Sequence, residues 1–226
     1  MNILALDTAA SVMSIALSTG DDVWYFEAEA GLRHGELLMD AADRLLEGAG
    51  IGSADLDLAA CMKGPGSFTG LRIAFAAAKG LSLALGIPMV AVPTLDCMAA
   101  AWASWPGIVL PAMDAKKGRF YAALYRGGRR LGGHLDAEPE ELAAALRTAE
   151  SAGEPVMLTG PAAQLVLEAL KPPEPDRFFV DPQGKRGKAR ELLDTAKKTV
   201  ILNAGDEVFS GPLYLRKSDA ELRFEP

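Results

Sequence analysis

The chain opens with three segments in which apolar and polar residues alternate with the period of a β-strand. Residues 2–6 form a β-rich run that ends at Asp7, residues 12–18 alternate apolar with small or polar side chains, and residues 23–29 alternate again after a Gly-Asp-Asp turn. Alternation of period two, bounded by turn residues, is typical of strands that bury one face. The pattern predicts three antiparallel strands at the start of the protein.

Helical spacing replaces this alternation at residue 34. Over residues 34–47 the apolar positions recur every three or four residues, at Leu37, Leu38, Ala41, Leu45 and Leu46. This spacing predicts an amphipathic helix that Gly48 and Gly50 end. A second helix is predicted over residues 69–85, between short strands at residues 56–62 and 88–92.

The second half repeats the order of strands, helix and strand after a Trp-Pro-Gly break at residues 105–107. Thr94 is a predicted cap for a short helix that precedes the break. Strands are predicted at 108–113, 119–125, 156–159 and 178–180, and helices at 138–149 and 162–170. We therefore predict an α/β fold with two lobes, an N-terminal lobe over 1–104 and a C-terminal lobe over 105–226, whose tail packs back on the first lobe.

Composition narrows the class of protein. Half of the 226 residues are hydrophobic, which excludes a disordered chain, and the net charge of −7 disfavours a firm grip on free nucleic acid. The two cysteines, Cys61 and Cys97, are too few for a disulfide framework or a structural zinc site. Lys79 and Pro88 interrupt the long apolar run at 73–92 and argue against a membrane span. These features predict a cytoplasmic protein.

A glycine-rich loop between a predicted strand and a predicted helix is the main chemical signal. It consists of Gly64, Pro65, Gly66, Ser67, Phe68, Thr69, Gly70, Leu71 and Arg72. Such a loop offers backbone N–H groups to an anion, or it forms a tight turn in which Gly66 and Gly70 allow close backbone approach and Ser67 or Thr69 caps the helix. It lacks the Gly-Lys-Ser/Thr ending of a Walker loop. We expect positive φ angles at Gly66 and Gly70.

Asp7, Thr8 and Ser11 form a second candidate group, at the turn after the first strand. They would hold a metal-bound nucleotide phosphate, or Asp7 would bond the backbone of its own turn. A basic cluster late in the chain contains Lys185, Arg186, Lys188, Arg190, Lys197 and Lys198. Such a cluster is either a solvated face or a small patch that contacts RNA.

Two apolar stripes along the second helix suggest a partner surface. Ala76, Gly80 and Ala84 recur every fourth residue, beside a stripe of Ile73, Ala77 and Leu81. One stripe can face the sheet and the other a partner or the first helix. The interface candidates are His34, Leu37, Leu38, Met39, Ala41, Ile73, Ala76 and Gly80. No metal site is expected, since Leu38 stands one helical turn after His34 where a second histidine would be needed.

Three stretches together resemble the TsaB (YeaZ) family of tRNA threonylcarbamoyladenosine biosynthesis proteins. They are ILALDTAASVMSIAL at the start, KGPGSFTGLRIAFAAAKGLSLALGIPMVAVPTLD in the centre and PLYLR near the end. A weaker match, MDAKKGRFYAALY, lies in the second half. The resemblance implies an actin-like, sugar-kinase-like (ASKHA) fold with two lobes, each built on a β-meander and packed helices.

The same resemblance implies a noncatalytic scaffold subunit. Its implied partners are the paralogous enzyme TsaD and the ATPase TsaE, with tRNA reached through the complex and a homodimer formed in the absence of partners. ATP or ADP and the metal are expected on the partner subunits, with no cofactor held tightly by this chain. A free-standing ATP-dependent kinase or ATPase of the same fold is the alternative, and a protease is a weaker one.

Overall fold

The computed structural model describes residues 1–149, 151, 153–201 and 210–216, which form two compact units. The first unit contains residues 1–101, 185–201 and 210–212, and the second contains residues 102–184 and 213–216. The predicted C-terminal lobe contains all of 105–226, with a tail that packs back on the N-terminal lobe. In the structure residues 185–201 belong to the first unit because they carry a helix that packs on its sheet.

The described residues form twelve strands and six α-helices. The strands are β1 (Ile3–Asp7), β2 (Val12–Thr19), β3 (Asp22–Glu29), β4 (Leu58–Gly64), β5 (Met89–Pro93), β6 (Ile108–Asp114), β7 (Phe120–Ala122), β8 (Tyr125–Arg126), β9 (Arg129–Arg130), β10 (Leu135–Ala137), β11 (Val156–Thr159) and β12 (Phe178–Val180). The helices are α1 (His34–Ala49), α2 (Phe68–Leu85), α3 (Thr94–Ala100), α4 (Pro139–Ala149), α5 (Ala163–Leu170) and α6 (Ala189–Ile201).

The first unit is built on a five-stranded sheet with the order β3-β2-β1-β4-β5. The strands β1 to β3 form the predicted antiparallel meander, and β4 and β5 extend the sheet in parallel with β1. Alternation along β1 sends Leu4 and Leu6 to one core and Ile3 and Ala5 to another. The sheet is therefore buried on both faces, which explains the nearly continuous apolar sequence of its central strands.

Helices α1 and α2 cover one face of this sheet, and α6 covers the other. Leu192, Leu193 and Ala196 of α6 are buried against that second face. The predictions above contain no helix in this region, because its charged residues suggest only a basic cluster. Sheet packing, rather than local propensity, determines most of the stability of such a helix.

Gly50 ends α1 as predicted, whereas Gly48, the other predicted end, lies inside α1. Gly50 and Gly86 both adopt the left-handed conformation after the helices, with φ of 70° and 68°. Ser67 caps α2, as predicted, by accepting a hydrogen bond from the Gly70 N–H at 3.2 Å. Thr94 is different from its prediction, since it is the first residue of α3 and its hydroxyl caps nothing.

The face of α2 that packs on the sheet is neither of the two predicted stripes. Its fully buried residues are Gly70, Leu71, Ala74, Phe75, Ala78 and Ser82. Because α2 is apolar around nearly its whole circumference, periodicity alone does not identify the buried face.

Among the described helices, α2 also has the length and composition of a membrane span. Its buried side chains form part of the first core, with β5 following it as predicted.

The second unit is built around a sheet whose main path runs β10-β7-β6-β11-β12, with β8 paired to β6 and β9 paired to β8. β6, β11 and β12 are parallel, whereas β7, β8, β9 and β10 pair in antiparallel fashion. The predicted strand at 119–125 is in fact divided between β7 and β8. Leu142 and Leu146 of α4 point into the core, as their spacing predicts.

Candidate functional site

Asp7 lies at the carboxyl end of β1 and is almost completely buried. Its Oδ1 accepts a hydrogen bond from the Ala9 N–H at 3.1 Å. Its Oδ2 accepts one from the Ser14 hydroxyl at 3.2 Å and one from the Lys188 N–H at 2.8 Å. Burial raises the pKa of Asp7, although these donors act in the opposite direction. The carboxylate thus forms the turn bond that the sequence allowed and also holds the start of α6.

The glycine-rich loop packs directly on the turn after β1. The Ser67 N–H donates to the Ala9 carbonyl at 2.8 Å, and the Thr8 hydroxyl donates to the Gly70 carbonyl at 2.7 Å. A β-carbon on Gly66 would lie 2.7 Å from the Ala9 carbonyl oxygen, and one on Gly70 would overlap the Thr8 carbonyl oxygen. Both glycines are required by close approach of two backbones.

The close backbone approach predicted for a tight turn is confirmed at both glycines, whereas the predicted positive φ angles are not. Positive φ angles were expected at Gly66 and Gly70, but within this loop only Gly64 has one, at 110°. The absent side chain at Gly66 and Gly70 serves packing against Thr8 and Ala9, not a left-handed backbone. The space beside the turn is filled by the protein's own chain.

The remaining residues predicted for the loop and for the turn after β1 differ in burial. Thr69 is exposed, and the guanidinium carbon of Arg72 lies 3.8 Å from the centre of the Phe68 ring. Pro65 is buried beside Gly64, and Ser11 is exposed, with its carbonyl accepting the N–H groups of Ala30 and Gly31. These contacts are turn and capping contacts.

The segment before α6 is held by hydrogen bonds to Glu27, which is not among the predicted site residues. Glu27 accepts hydrogen bonds from Arg186 Nε at 2.8 Å, the Gly187 N–H at 3.0 Å and the Tyr25 hydroxyl at 2.6 Å. Burial acts to raise the pKa of Glu27, but these donors lower it overall. Burial and the adjacent Glu27 raise the pKa of Tyr25.

Ser14 completes this attachment by accepting a hydrogen bond from the Ala189 N–H at 3.0 Å. Three of the six residues of the basic cluster are therefore engaged within the first unit. Arg186 pairs with Glu27, Lys188 is buried, and Arg190 lies over the Tyr25 ring at 4.8 Å. The alternation of β2 and β3 was the sequence signal that could have placed Ser14, which is buried, and Tyr25 and Glu27, which are half-buried, on one face of the sheet.

A shallow apolar groove of about 560 Å³ runs between α1 and α2. Among its lining residues are Met39, Ile73, Ala76, Gly80, Leu81 and Ala84. Of the predicted interface residues, Met39, Ala76 and Gly80 are exposed, and Leu37 and Ile73 are half-buried. His34, Leu38 and Ala41 are buried within the unit. No atom lies within 4 Å of the position that a β-carbon on Gly80 would take, so the groove floor is open there.

In the second unit, Asp136 binds arginines from two stretches that carry the family resemblance, MDAKKGRFYAALY and PLYLR. Arg119 Nε donates to Asp136 Oδ1 at 2.9 Å, and Arg216 Nε donates to Asp136 Oδ2 at 3.0 Å. Arg216 Nη1 also donates to the Ala115 carbonyl at 3.2 Å. Within the described part of the chain, no group of three or more His, Cys, Asp or Glu side chains is arranged to hold a metal ion.

Comparison with known proteins identifies the family. The family model TsaD, described as tRNA N6-adenosine threonylcarbamoyltransferase, matches residues 28–173, which is more than half of the chain. The Bacillus subtilis protein named tRNA threonylcarbamoyladenosine biosynthesis protein TsaB is 36% identical over 127 residues, or 56% of this chain. The chain belongs to the TsaD family, among its TsaB (YeaZ) members.

Solved structures agree with this assignment. YeaZ from Pseudomonas aeruginosa has 27% sequence identity to this chain and a TM-score of 0.82. The match covers 95% of this chain and 99% of the YeaZ chain. A Bacteroides thetaiotaomicron protein with an actin-like ATPase fold has a TM-score of 0.50 at 10% identity, which bears on the fold alone. The predicted ASKHA-type fold and TsaB-family membership are confirmed. The chain matches a little over half the length, 56%, of its Bacillus subtilis relative.

Proposed function

We propose that this TsaB-family chain is a noncatalytic scaffold subunit in the synthesis of tRNA threonylcarbamoyladenosine. In this proposal it is cytoplasmic and pairs with a TsaD-type enzyme, the ATPase TsaE joins the assembly, and tRNA is reached through the complex. The names of its relatives support the pathway, since they are biosynthesis proteins of this modification or the transferase itself. ATP or ADP and the metal would be held by the partner subunits.

The surroundings of Asp7 support a noncatalytic role. Both carboxylate oxygens of Asp7 accept hydrogen bonds from the protein itself, one of them from the backbone of Lys188. The glycine-rich loop is closed against Thr8 and Ala9. A phosphate would have to displace these contacts before it reached either element. The alternative, a free-standing ATP-dependent enzyme, requires both elements to be open to a nucleotide.

The observation that carries the scaffold proposal is the groove between α1 and α2. A stable protein interface needs an apolar centre with close packing. The exposed Ala76, Gly80 and Ala84 leave the backbone of α2 accessible to a facing helix, while Met39 supplies an adaptable apolar rim. We propose that the equivalent helices of a TsaD-type enzyme occupy the groove. A second copy of this chain would occupy it when that enzyme is absent.

Charge placed in the groove tests this assignment. Met39→Glu and Ala76→Glu should each weaken both assemblies, since an unpaired carboxylate buried at an interface costs on the order of 2–5 kcal/mol. Leu83→Glu is the matched control, because Leu83 lies on the same helix, is exposed and does not line the groove. Melting of each isolated variant would exclude misfolding, and sedimentation would measure self-association and binding to the TsaD-type enzyme.

Modification of tRNA in a reconstituted mixture is the functional measurement. The groove variants should lose modification in proportion to lost assembly, while the Leu83 variant retains it. Folded groove variants that dimerise, bind the enzyme and support full modification would place the interface elsewhere.

ATP turnover by the purified chain tests the noncatalytic role separately. Hydrolysis near 10 per second, an ordinary enzymatic rate, that disappears in Asp7→Ala would favour the kinase or ATPase alternative. Loss of activity in the variant is needed to exclude a contaminating ATPase. The proposal expects no turnover that depends on Asp7.

A further inference from the structure

The β8–β9 hairpin of the second unit carries an unusual concentration of positive charge. Its strands and the loop to β10 span residues 125–134, which contain Arg126, Arg129 and Arg130 and no acidic residue. The chain as a whole has a net charge of −7. This short ribbon is therefore a local exception to the acidic character of the protein.

The backbone of the hairpin fixes where these side chains lie. Gly127 and Gly128 form its two-residue turn with φ of 55° and 72°, as a tight type I′ turn requires. The register pairs Arg126 directly with Arg129 across the two strands. Directly opposed residues in an antiparallel pair project from the same face, so the two guanidinium groups share one side of the ribbon.

Opposed like charges destabilise a strand pair unless each has a counter-charge. Arg126 has one, because its guanidinium forms an ion pair with Glu154 and also donates to the Ala149 carbonyl at 2.8 Å. The side chain of Arg129 is exposed and forms no hydrogen bond or ion pair with the side chains or backbone of the described residues. Among the residues that the structure describes, only Arg126 of the two opposed arginines has a counter-charge.

Arg130 extends the charge along the same strand. It is exposed, its Nε donates to the Gly132 carbonyl at 3.1 Å, and its Nη1 lies 2.7 Å from His134 Nε2. These two contacts are with a backbone carbonyl and an imidazole ring. They hold the guanidinium in place, which reduces the entropy lost when it binds an anion.

We propose that the β8–β9 hairpin contacts the phosphate backbone of tRNA through Arg129 and Arg130. A guanidinium binds phosphate through two parallel hydrogen bonds, and the turn of two glycines lets the ribbon approach a phosphate chain without obstruction by side chains. The phosphates would supply the counter-charge that no described residue gives Arg129. The choice of tRNA rests on the function proposed above, whereas the charge arrangement stands on the hairpin itself.

The rival RNA contact is the basic segment before α6, and the structure disfavours it. Arg186, Lys188 and Arg190 are engaged by Glu27, by burial and by the Tyr25 ring. Lys185 directly precedes Arg186 in the same cluster and is exposed. Lys185→Gln is therefore a control that removes an equal charge from the rival surface.

Salt dependence of tRNA binding tests the proposal. Binding of tRNA would be measured from about 50 to about 200 mM salt for wild type, Arg129→Gln, Arg130→Gln, the double variant and Lys185→Gln. Each lost phosphate contact should reduce the steepness of the plot of log affinity against log salt concentration by about 1. The double variant should thus lose roughly tenfold less affinity over this range than wild type. Lys185→Gln should retain the wild-type slope. Because both arginines are exposed, melting temperatures should not fall.

The full chain would be measured alone and mixed with a TsaD-type enzyme, and assembly would be followed separately by sedimentation. Failure to assemble would contradict the proposed function. The hairpin proposal would then still be tested by tRNA binding to the isolated chain. Wild-type slopes in the arginine variants, loss confined to Lys185→Gln, or no tRNA binding in either arrangement would overturn the hairpin proposal. Displacement of tRNA by polyglutamate at equal charge concentration would indicate an acidic protein partner and would also overturn it.

Discussion

Gly70 and Thr8 lie against each other so closely that the Thr8 carbonyl oxygen takes the place of a side chain on Gly70. The Thr8 hydroxyl closes the contact with a hydrogen bond to the Gly70 carbonyl at 2.7 Å. The two residues belong to the turn after β1 and to the first turn of α2, which the sequence analysis treats as separate candidate phosphate elements. Their packing makes one rigid corner of the first unit.

A single methyl group should test this corner. Gly70→Ala is expected to destabilise the protein by about 1–3 kcal/mol or more, because the new β-carbon overlaps backbone that cannot move without displacing β1. Gly80→Ala is the control in the same helix, where the added carbon meets no atom within 4 Å. The midpoint of urea unfolding would be measured for both, and equal midpoints would contradict the close packing.

Gly80→Ala also separates helix stability from assembly. Alanine in a helix interior is favoured over glycine by about 1 kcal/mol, so the isolated chain should unfold at higher urea concentration. The added methyl group lies in the groove between α1 and α2, so association with a TsaD-type enzyme should weaken. Sedimentation and urea unfolding would measure the two effects. A variant that gains stability and keeps full affinity would argue against close helix packing at Gly80.

The buried carboxyl of Asp7 should make stability depend on pH in a definite direction. Because burial raises its pKa in the folded state, folding favours the protonated form, and this contribution to stability is lost as the pH rises from below about 4 through the folded pKa. Asp7→Asn cannot ionise but turns an amide toward the N–H donors of Ala9 and Lys188. The variant should therefore be less stable than wild type, most of all at acidic pH.

Urea unfolding of both proteins at about pH 4 and about pH 7 would measure this difference, and other titrating groups cancel in the comparison. A stability deficit of Asp7→Asn that grows as the pH rises would show that the three donors outweigh burial.

Arg216 should stabilise the second unit through Asp136. Its guanidinium makes two hydrogen bonds with that carboxylate and one with the Ala115 carbonyl, and both side chains are about one-fifth exposed. Arg216→Gln should cost about 1 kcal/mol of unfolding free energy, given partial screening by solvent.

A double-mutant cycle with Asp136→Asn isolates the pair, because a direct contact gives a coupling energy of at least about 0.5 kcal/mol. Arg147→Gln provides a matched control, since Arg147 is exposed on α4 of the same unit. Additive effects of the two substitutions would show that Arg216 does not act through Asp136.

Local pattern was sufficient for most of the elements. Period-two alternation predicted β1, β2 and β3, and turn residues predicted where α1 and α2 end. These features depend on neighbours two to four positions apart, so they can be seen directly in the sequence. The glycine-rich loop was recognised in the same way, and the family resemblance rested largely on it.

Contacts between distant segments were decided only by the tertiary structure. The bond from Lys188 to Asp7 joins residues 181 positions apart, and Asp136 and Arg216 are 80 positions apart. No local spacing records such a pairing, and the charged sequence of α6 concealed a helix whose apolar face fits the sheet. The face that α2 presents to the core was also undetermined, since several of its faces are apolar and only the shape of the sheet selects among them.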